Sequence, residues 1–333
     1  MMLRSHFSCW NSLGMRTRAA ATSDLAALVK LFQAINLAEI GRAETDEADI
    51  RQILTAPGLD LRRYSRVHEH DGRFLGFAAL HIAPHAGRLR AHLAVAPTAP
   101  ADLADTLLQQ IETWARRHPP VAGRNHQIIT LFQLPHTLAG SPLRRHGWTV
   151  VRRYSRLIID LNRERPFLPD LPPGTRVRVA ASDDDRHRLH MVLEDALAGH
   201  WNHHRRTFEE FWTNQRQRDG HDPGLWWIAE IDGAPAAALI ARARPDRGWI
   251  AWLGTQRRFR GRGLGRFLLL TAFTELRERG CPMVGVDVDS ANETNALGVY
   301  EAVGMRVLGQ ADQWQRDIDL GRPSPQTEHI APG

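Results

Sequence analysis

Residues 260–266 read Arg260-Gly261-Arg262-Gly263-Leu264-Gly265-Arg266. A strand-like apolar stretch, Trp249 to Leu253, precedes them, and an amphipathic helix-like stretch, Phe267 to Arg279, follows. Alternate glycines let a backbone approach a bulky anion and turn its N–H groups inward. A helix beginning there adds unpaired N–H groups and the positive end of its dipole. Arg257, Arg258, Arg260 and Arg262 supply positive charge around the loop. The stretch reads as a cradle for a pyrophosphate.

Two kinds of pyrophosphate fit such a loop. A dinucleotide fold wants G-x-G-x-x-G and an acidic residue about 20 positions on, and Asp287 stands near that distance. Here the glycine spacing is G-x-G-x-G, and too little chain follows for the second half of that fold. A second stretch decides the matter: Asn292-Glu293-Thr294-Asn295-Ala296-Leu297-Gly298-Val299-Tyr300-Glu301-Ala302-Val303-Gly304-Met305.

Together the two stretches resemble the cofactor segments of the GNAT acetyltransferase superfamily. Its first signature is Arg or Gln, two residues, Gly, one residue, then Gly or Ala; Arg260, Gly263 and Gly265 fill those places. Its second runs from an asparagine through a small residue to a tyrosine, a glycine and Phe or Met. Asn292 or Asn295 supplies the asparagine, and Tyr300, Gly304 and Met305 fall where the family has theirs. The resemblance implies acetyl-CoA as cofactor, held by Arg260, Gly261, Arg262, Gly263, Leu264, Gly265, Arg266, Asn292, Asn295 and Tyr300. It implies that backbone N–H groups of Leu253, Gly254 and Thr255 face the thioester carbonyl, and that Tyr300 serves the departing sulfur as general acid. For the general base, Glu230 and Asp287 are candidates beside Glu194 and Asp289. Trp201, His203 and Trp212 are expected to wall the acceptor site.

Working outward, the chain carries the pattern twice. His70-Asp71-Gly72 and Ile231-Asp232-Gly233 each sit between apolar runs as tight hairpin turns, 161 residues apart. His146-Gly147-Trp148 and Val303-Gly304-Met305 are 157 apart. Offsets this close imply one fold used twice. The expected fold class is α/β (α+β), two tandem GNAT folds, each a mixed twisted sheet flanked by helices. The first copy spans 15–161 and the second 175–320. A proline-rich linker lies at 162–174, with tails at 1–14 and 321–333. This tandem layout resembles that of the mycothiol synthase family.

The first copy lacks the cradle. Ala96-Pro97-Thr98-Ala99-Pro100-Ala101-Asp102 stands in its place, and Leu143 stands where the second copy has Tyr300. Two prolines remove donors and an aspartate repels phosphate, so this copy is expected to lack the cofactor.

Composition narrows the partners. Of 43 basic residues only Lys30 is a lysine, and the net charge is +6. Arginines scattered among acids, without a basic and aromatic stripe, do not make a nucleic-acid surface. No apolar run approaches the roughly 18–20 residues of a membrane span. Cys9 and Cys281 give no disulfide framework, which suits a cytoplasmic protein. His203 and His204 lack a third ligand, so no metal site is expected. The expectation is an acetyl-CoA-dependent N-acetyltransferase acting on a small primary amine in a ternary complex, as monomer or homodimer. A non-catalytic acyl-CoA-binding scaffold and a peptide N-acetyltransferase are the alternatives.

Overall fold

The computed structural model describes residues 14–83, 88–118, 126–164, 167–200, 203, 205–218, 220–291 and 296–320. The chain forms two compact units, Met1–Arg152 with Ala311–Gly333, and Arg153–Gln310.

Unit 1 opens with β1 (Arg16–Arg18), α1 (Leu25–Ile40), α2 (Glu47–Leu54) and α3 (Leu61–Tyr64). Strands β2 (Ser65–His70), β3 (Arg73–Ala83) and β4 (Arg88–Val95) follow as an antiparallel meander. Then come α4 (Leu103–Arg117), β5 (His126–Gln133), α5 (Gly140–Arg145) and the start of β6 (Thr149–Asp160). Unit 2 repeats the order with β7 (Thr175–Val179), α6 (Asp183–Ala196), α7 (Phe208–Arg216), β8 (Trp226–Ile231), β9 (Ala234–Ala243) and β10 (Gly248–Thr255). It continues through α8 (Leu264–Glu278), β11 (Met283–Asp289), α9 (Ala296–Glu301) and the start of β12 (Arg306–Asp319). In each unit the meander ends in a strand–helix–strand crossover, β4–α4–β5 and β10–α8–β11, whose strands pair in parallel. A crossover helix is what parallel pairing requires.

Local chemistry fixes these elements. Asp71 and Asp232 adopt φ of 48° and 49°, and the glycines after them 71° and 77°. Two consecutive left-handed residues make the turn whose twist suits a two-residue hairpin. At the start of α6, Ser182 accepts a hydrogen bond from the Asp185 N–H, and the Asp185 carboxylate accepts one from the Ser182 N–H. The second motif repeats bond for bond: the Trp148 N–H donates to the Leu143 carbonyl, as the Met305 N–H does to that of Tyr300.

The closing strands depart from the ranges read from sequence. Residues Tyr154–Asp160 of β6 pair with β11 in unit 2, and Asp312–Asp319 of β12 pair with β5 in unit 1. Leu157, Ile159 and Leu161 accordingly join the core of unit 2, while Trp314 and Ile318 join that of unit 1. Ranges of 15–161 and 175–320 thus assign each closing strand to the other unit. Period-two alternation tells which face of a strand is buried, not which strand lies beside it. No helix among the described residues is long and apolar enough to cross a membrane.

Candidate active site

Strand β10 pairs with β9 along its whole length but with β11 only at Gly248↔Val284 and Trp249↔Gly285. Beyond Trp249 the parallel strands part. A bulge between Ile250 and Trp252 accompanies the parting, as bulges do where a strand is re-aimed. The Gln256 N–H donates to the Ala236 carbonyl at 2.9 Å, which fixes the parity of the ladder. In an antiparallel pair alternate residues bond to the same neighbour, so Gly254 faces β9 while Leu253 and Thr255 turn their N–H groups into the gap.

Of the three N–H groups named from the sequence, those of Leu253 and Thr255 thus point away from β9 and that of Gly254 does not. Gly254 serves otherwise: a Cβ on it would come within 2.8 Å of Ala196 Cβ, so its bare backbone lets α6 approach.

The loop after β10 has the form an anion needs. Gly261 and Gly263 adopt φ of 75° and 77°, and a Cβ on either would meet open space. Glycine is required there by the left-handed backbone and not by crowding. Helix α8 starts at Leu264 with Gly263 as N-cap and no side-chain cap, and the Phe267 N–H donates to the Gly263 carbonyl. The N–H groups ahead of Phe267 are left for a ligand. Arg260 donates to the carbonyls of Thr255 at 3.2 Å and Ala196 at 3.3 Å, tying the loop to β10 and α6. Arg258 and Arg262 both lie over the Phe259 ring.

Gly265 marks the point of convergence. A Cβ there would lie 3.8 Å from Val299, 3.9 Å from Leu253 and 3.9 Å from the Thr255 hydroxyl. The helix start, the open strand end and α9 thus meet at one corner. Tyr300 on α9 is buried, and burial pushes its hydroxyl well above the usual phenol range, so it stays protonated. Asn292 and Asn295 lie outside the described residues.

The opposite side of the sheet carries the other candidates. Gly248 faces α8 through Leu276, so Trp249 faces away from α8 and lies against Gly285. Alternation along β11 then puts Asp287 and Asp289 on the Trp249 side. Arg156 holds Asp287 through two hydrogen bonds at 2.8 and 2.9 Å and lies over Trp249. Nearby, Glu194 is 4% exposed. Its carboxylate accepts from His203 Nε2 at 3.0 Å and from the Arg206 N–H and guanidinium at 3.3 and 3.2 Å. The Arg206 guanidinium covers Trp252 at 4.9 Å. Burial lowers the His200 imidazole pKa against the opposing pull of Asp289.

The sequence candidates thus separate. Asp287 and His203 lie on this face. Glu230 is bound by Arg178 at 2.9 Å, with Arg178 also reaching Asp185 in the first turn of α6. Glu194 is nine residues further along that helix, roughly 13 Å. Trp212 stacks on Phe208 and meets Trp226 edge-on, and Phe208 in turn meets His190, whose Nε2 lies 3.7 Å from Glu194. Trp201 lies outside the described residues. Sequence reasoning missed Trp249, Trp252 and Arg206 as lining residues, because the bulge that turns Trp252 toward α6 leaves no mark in the pattern.

Residues 186–305 match the model of the acetyltransferase (GNAT) family. A mycothiol acetyltransferase from Cellulomonas flavigena is 27% identical over 169 residues, 47% of this chain and 48% of that protein. The match thus spans about half the length of that curated relative. Among solved structures, a GCN5-related N-acetyltransferase from Sphaerobacter thermophilus covers 94% of this chain and 98% of its own at 22% identity, with a TM-score of 0.80. A tandem GNAT protein from the clavulanic acid biosynthesis pathway covers 93% and 100% at 16% identity, with a TM-score of 0.68. These two likenesses speak for the fold. Residues 186–305 are thus similar to the GNAT acetyltransferases, and the chain has the fold of these two solved structures.

Proposed function

We propose that this chain transfers an acetyl group from acetyl-CoA to the primary amine of a small molecule, by direct attack in a ternary complex and with unit 2 as the catalytic unit. The observation that carries the reading is the corner at Gly265, where an uncapped helix start, two outward strand N–H groups and the helix of Tyr300 come together. The residues present fit the cofactor: left-handed glycines with open space beside them, unpaired N–H groups and flanking arginines suit a pyrophosphate. Bound there, acetyl-CoA supplies an acyl group activated as a thioester.

Gly263, Leu264, Gly265 and Arg266 hold the pyrophosphate through backbone N–H groups, and Arg262 screens it. The sequence motif adds Asn292 or Asn295 to this cofactor set. Leu253 and Thr255 donate to the acyl oxygen as negative charge develops on it; donors preorganised in this way are worth about 2.7–4 kcal/mol each. Tyr300, kept neutral by its burial, gives its proton to the departing sulfur. Of the four carboxylates named as candidate bases, we assign Asp287, which Arg156 holds on the face with Trp249, whereas Glu230 sits with Arg178 and Asp185 at the far end of α6. His203 belongs to the acceptor wall.

The test is thiol release from acetyl-CoA with a panel of small primary amines. We expect amine-dependent release, and Tyr300→Phe lowering kcat about 10²-fold with KM for acetyl-CoA nearly unchanged. Release that no amine stimulates would overturn the reading. An unchanged kcat in the variant would remove Tyr300 from the chemistry.

A further inference from the structure

One cation of unit 2 has no role in this scheme. Arg242, near the end of β9, lies directly opposite Trp249 in the ladder, so both side chains stand on the acceptor face. Its guanidinium donates to the side-chain oxygen of Gln215 on α7 at 3.0 Å. Gln215 is only 3% exposed, so the hydrogen bond aims Arg242 from a fixed anchor. Among the described residues no carboxylate pairs with Arg242. Burial, with the charges of Arg218 and Arg244 beside it, holds its pKa down to about 10.

A desolvated cation with only a neutral partner is costly unless an anion completes it. The carboxylates on this face are already taken, Glu194 by His203 and Arg206, Asp287 by Arg156, and Asp289 by the Ala291 N–H. A mere tether between α7 and β9 would need no charge; an amide at 242 would serve. Trp249 and Trp252 meanwhile give the face an aromatic floor, with Arg206 over Trp252.

Resting on the acetyltransferase reading, we propose that the amine acceptor carries an anionic group, carboxylate or phosphate, and that Arg242, aimed by Gln215 beside Trp249, receives it. The planar guanidinium offers two parallel donors to either group. Arg218, two residues past α7, adds positive charge that draws the acceptor in.

The experiment uses the full chain saturated with coenzyme A, so that the cradle of α8 cannot take the probe. Calorimetric titration with inorganic phosphate and, separately, with succinate should show one anion site. Arg242→Gln should weaken it at least tenfold, Arg242→Lys should retain part of it, and neither should alter the affinity for coenzyme A. The stronger of the two probes names the anionic group. In thiol release, O-phosphoethanolamine or β-alanine should outperform ethanolamine, with the advantage lost in Arg242→Gln. No heat from either probe at millimolar concentration, with coenzyme A bound, overturns the inference and leaves the acetyltransferase reading standing. Anion binding unchanged in Arg242→Gln also overturns it. Failure to bind coenzyme A at all strikes the acetyltransferase reading itself.

Discussion

Unit 1 and unit 2 build one corner from the same parts and finish it differently. In unit 1 the parallel strands pair at Leu89↔Ile129 and Arg90↔Thr130 and then part, just as Gly248↔Val284 and Trp249↔Gly285 do in unit 2. Ladder parity agrees as well, since the Ala96 N–H donates to Leu75 as that of Gln256 does to Ala236. The differences are small and chemical. Strand β4 pairs with β3 without the bulge that β10 carries. Four residues past Ile129, Gln133 sends its amide N–H to the Leu93 carbonyl at 2.6 Å, and Thr137 donates to its amide oxygen at 3.2 Å. Four residues past Val284 stands Val288, which has nothing to donate. Before α4 the Leu103 N–H is already used by the Pro100 carbonyl. Asp105 occupies the first turn, held by Arg145 and His146. A fold keeps its shape while a side-chain amide closes the strand gap and an acid blocks the helix start.

The largest effect should come from the helix start that only unit 2 keeps open. Calorimetry on the full chain is expected to show one coenzyme A site, and Gly263→Glu should reduce its affinity at least 100-fold. The new side chain forces an L-residue into the left-handed region, at a cost of roughly 1–2 kcal/mol, and sets a carboxylate where the phosphate belongs. Gly263→Asn, which tolerates that backbone and carries no charge, should lose much less. Thermal melting should show both variants folded. Two sites in the wild-type chain would break the contrast between the units.

Much of this contrast was legible in the sequence, because it rests on residues whose backbone behaviour is fixed by type. Asp71-Gly72 and Asp232-Gly233 announced the hairpins, and the alternate glycines announced the turn ahead of α8. Tyr300 and Leu143 could be matched by their distance from Gly304 and Gly147. Features that depend on neighbours stayed hidden. Nothing in Thr149–Asp160 says that its partner is β11, since alternation specifies a face only. The Gln133 bridge was invisible because a glutamine in a strand reads as a solvated residue until a carbonyl is found beside it. Glu230 and Glu194 looked alike as acids, and only their partners, Arg178 in one case and His203 with Arg206 in the other, tell them apart.

Exchanging the two residues at the strand gap sharpens the comparison at a smaller magnitude. Val288→Gln should let an amide reach across to the Leu253 carbonyl as Gln133 does to that of Leu93, and weaken coenzyme A binding about tenfold. Gln133→Val should destabilise unit 1 by about 1–3 kcal/mol, because the Leu93 carbonyl loses its donor, and should create no second site. If Gln133→Val alone gave unit 1 measurable affinity, the amide and not the missing loop would be the barrier, and the order of importance argued above would be reversed.

The smallest effect concerns acid stability and separates the units by a different residue. His92 on β4 stacks on His81 with ring centroids 5.4 Å apart, and burial, with Arg90 and His81 close by, holds its pKa well below the usual imidazole value. A depressed folded-state pKa means that the unfolded chain takes up the proton first as pH falls. The stability from neutral His92 is therefore complete above the unfolded value of about 6.5 and declines as pH drops toward the folded one. One such group contributes a slope of at most about 1.4 kcal/mol per pH unit. Hydrogen exchange in β3 and β4, followed from pH 7 to 5, should accelerate beyond its intrinsic pH dependence in the wild-type chain. That excess should shrink in His92→Gln, while coenzyme A affinity at each pH stays the same in both. His68, whose pKa burial and Arg66 also lower, leaves a residual acid sensitivity in the variant. An excess that does not change in His92→Gln would mean that the acid sensitivity of unit 1 lies elsewhere.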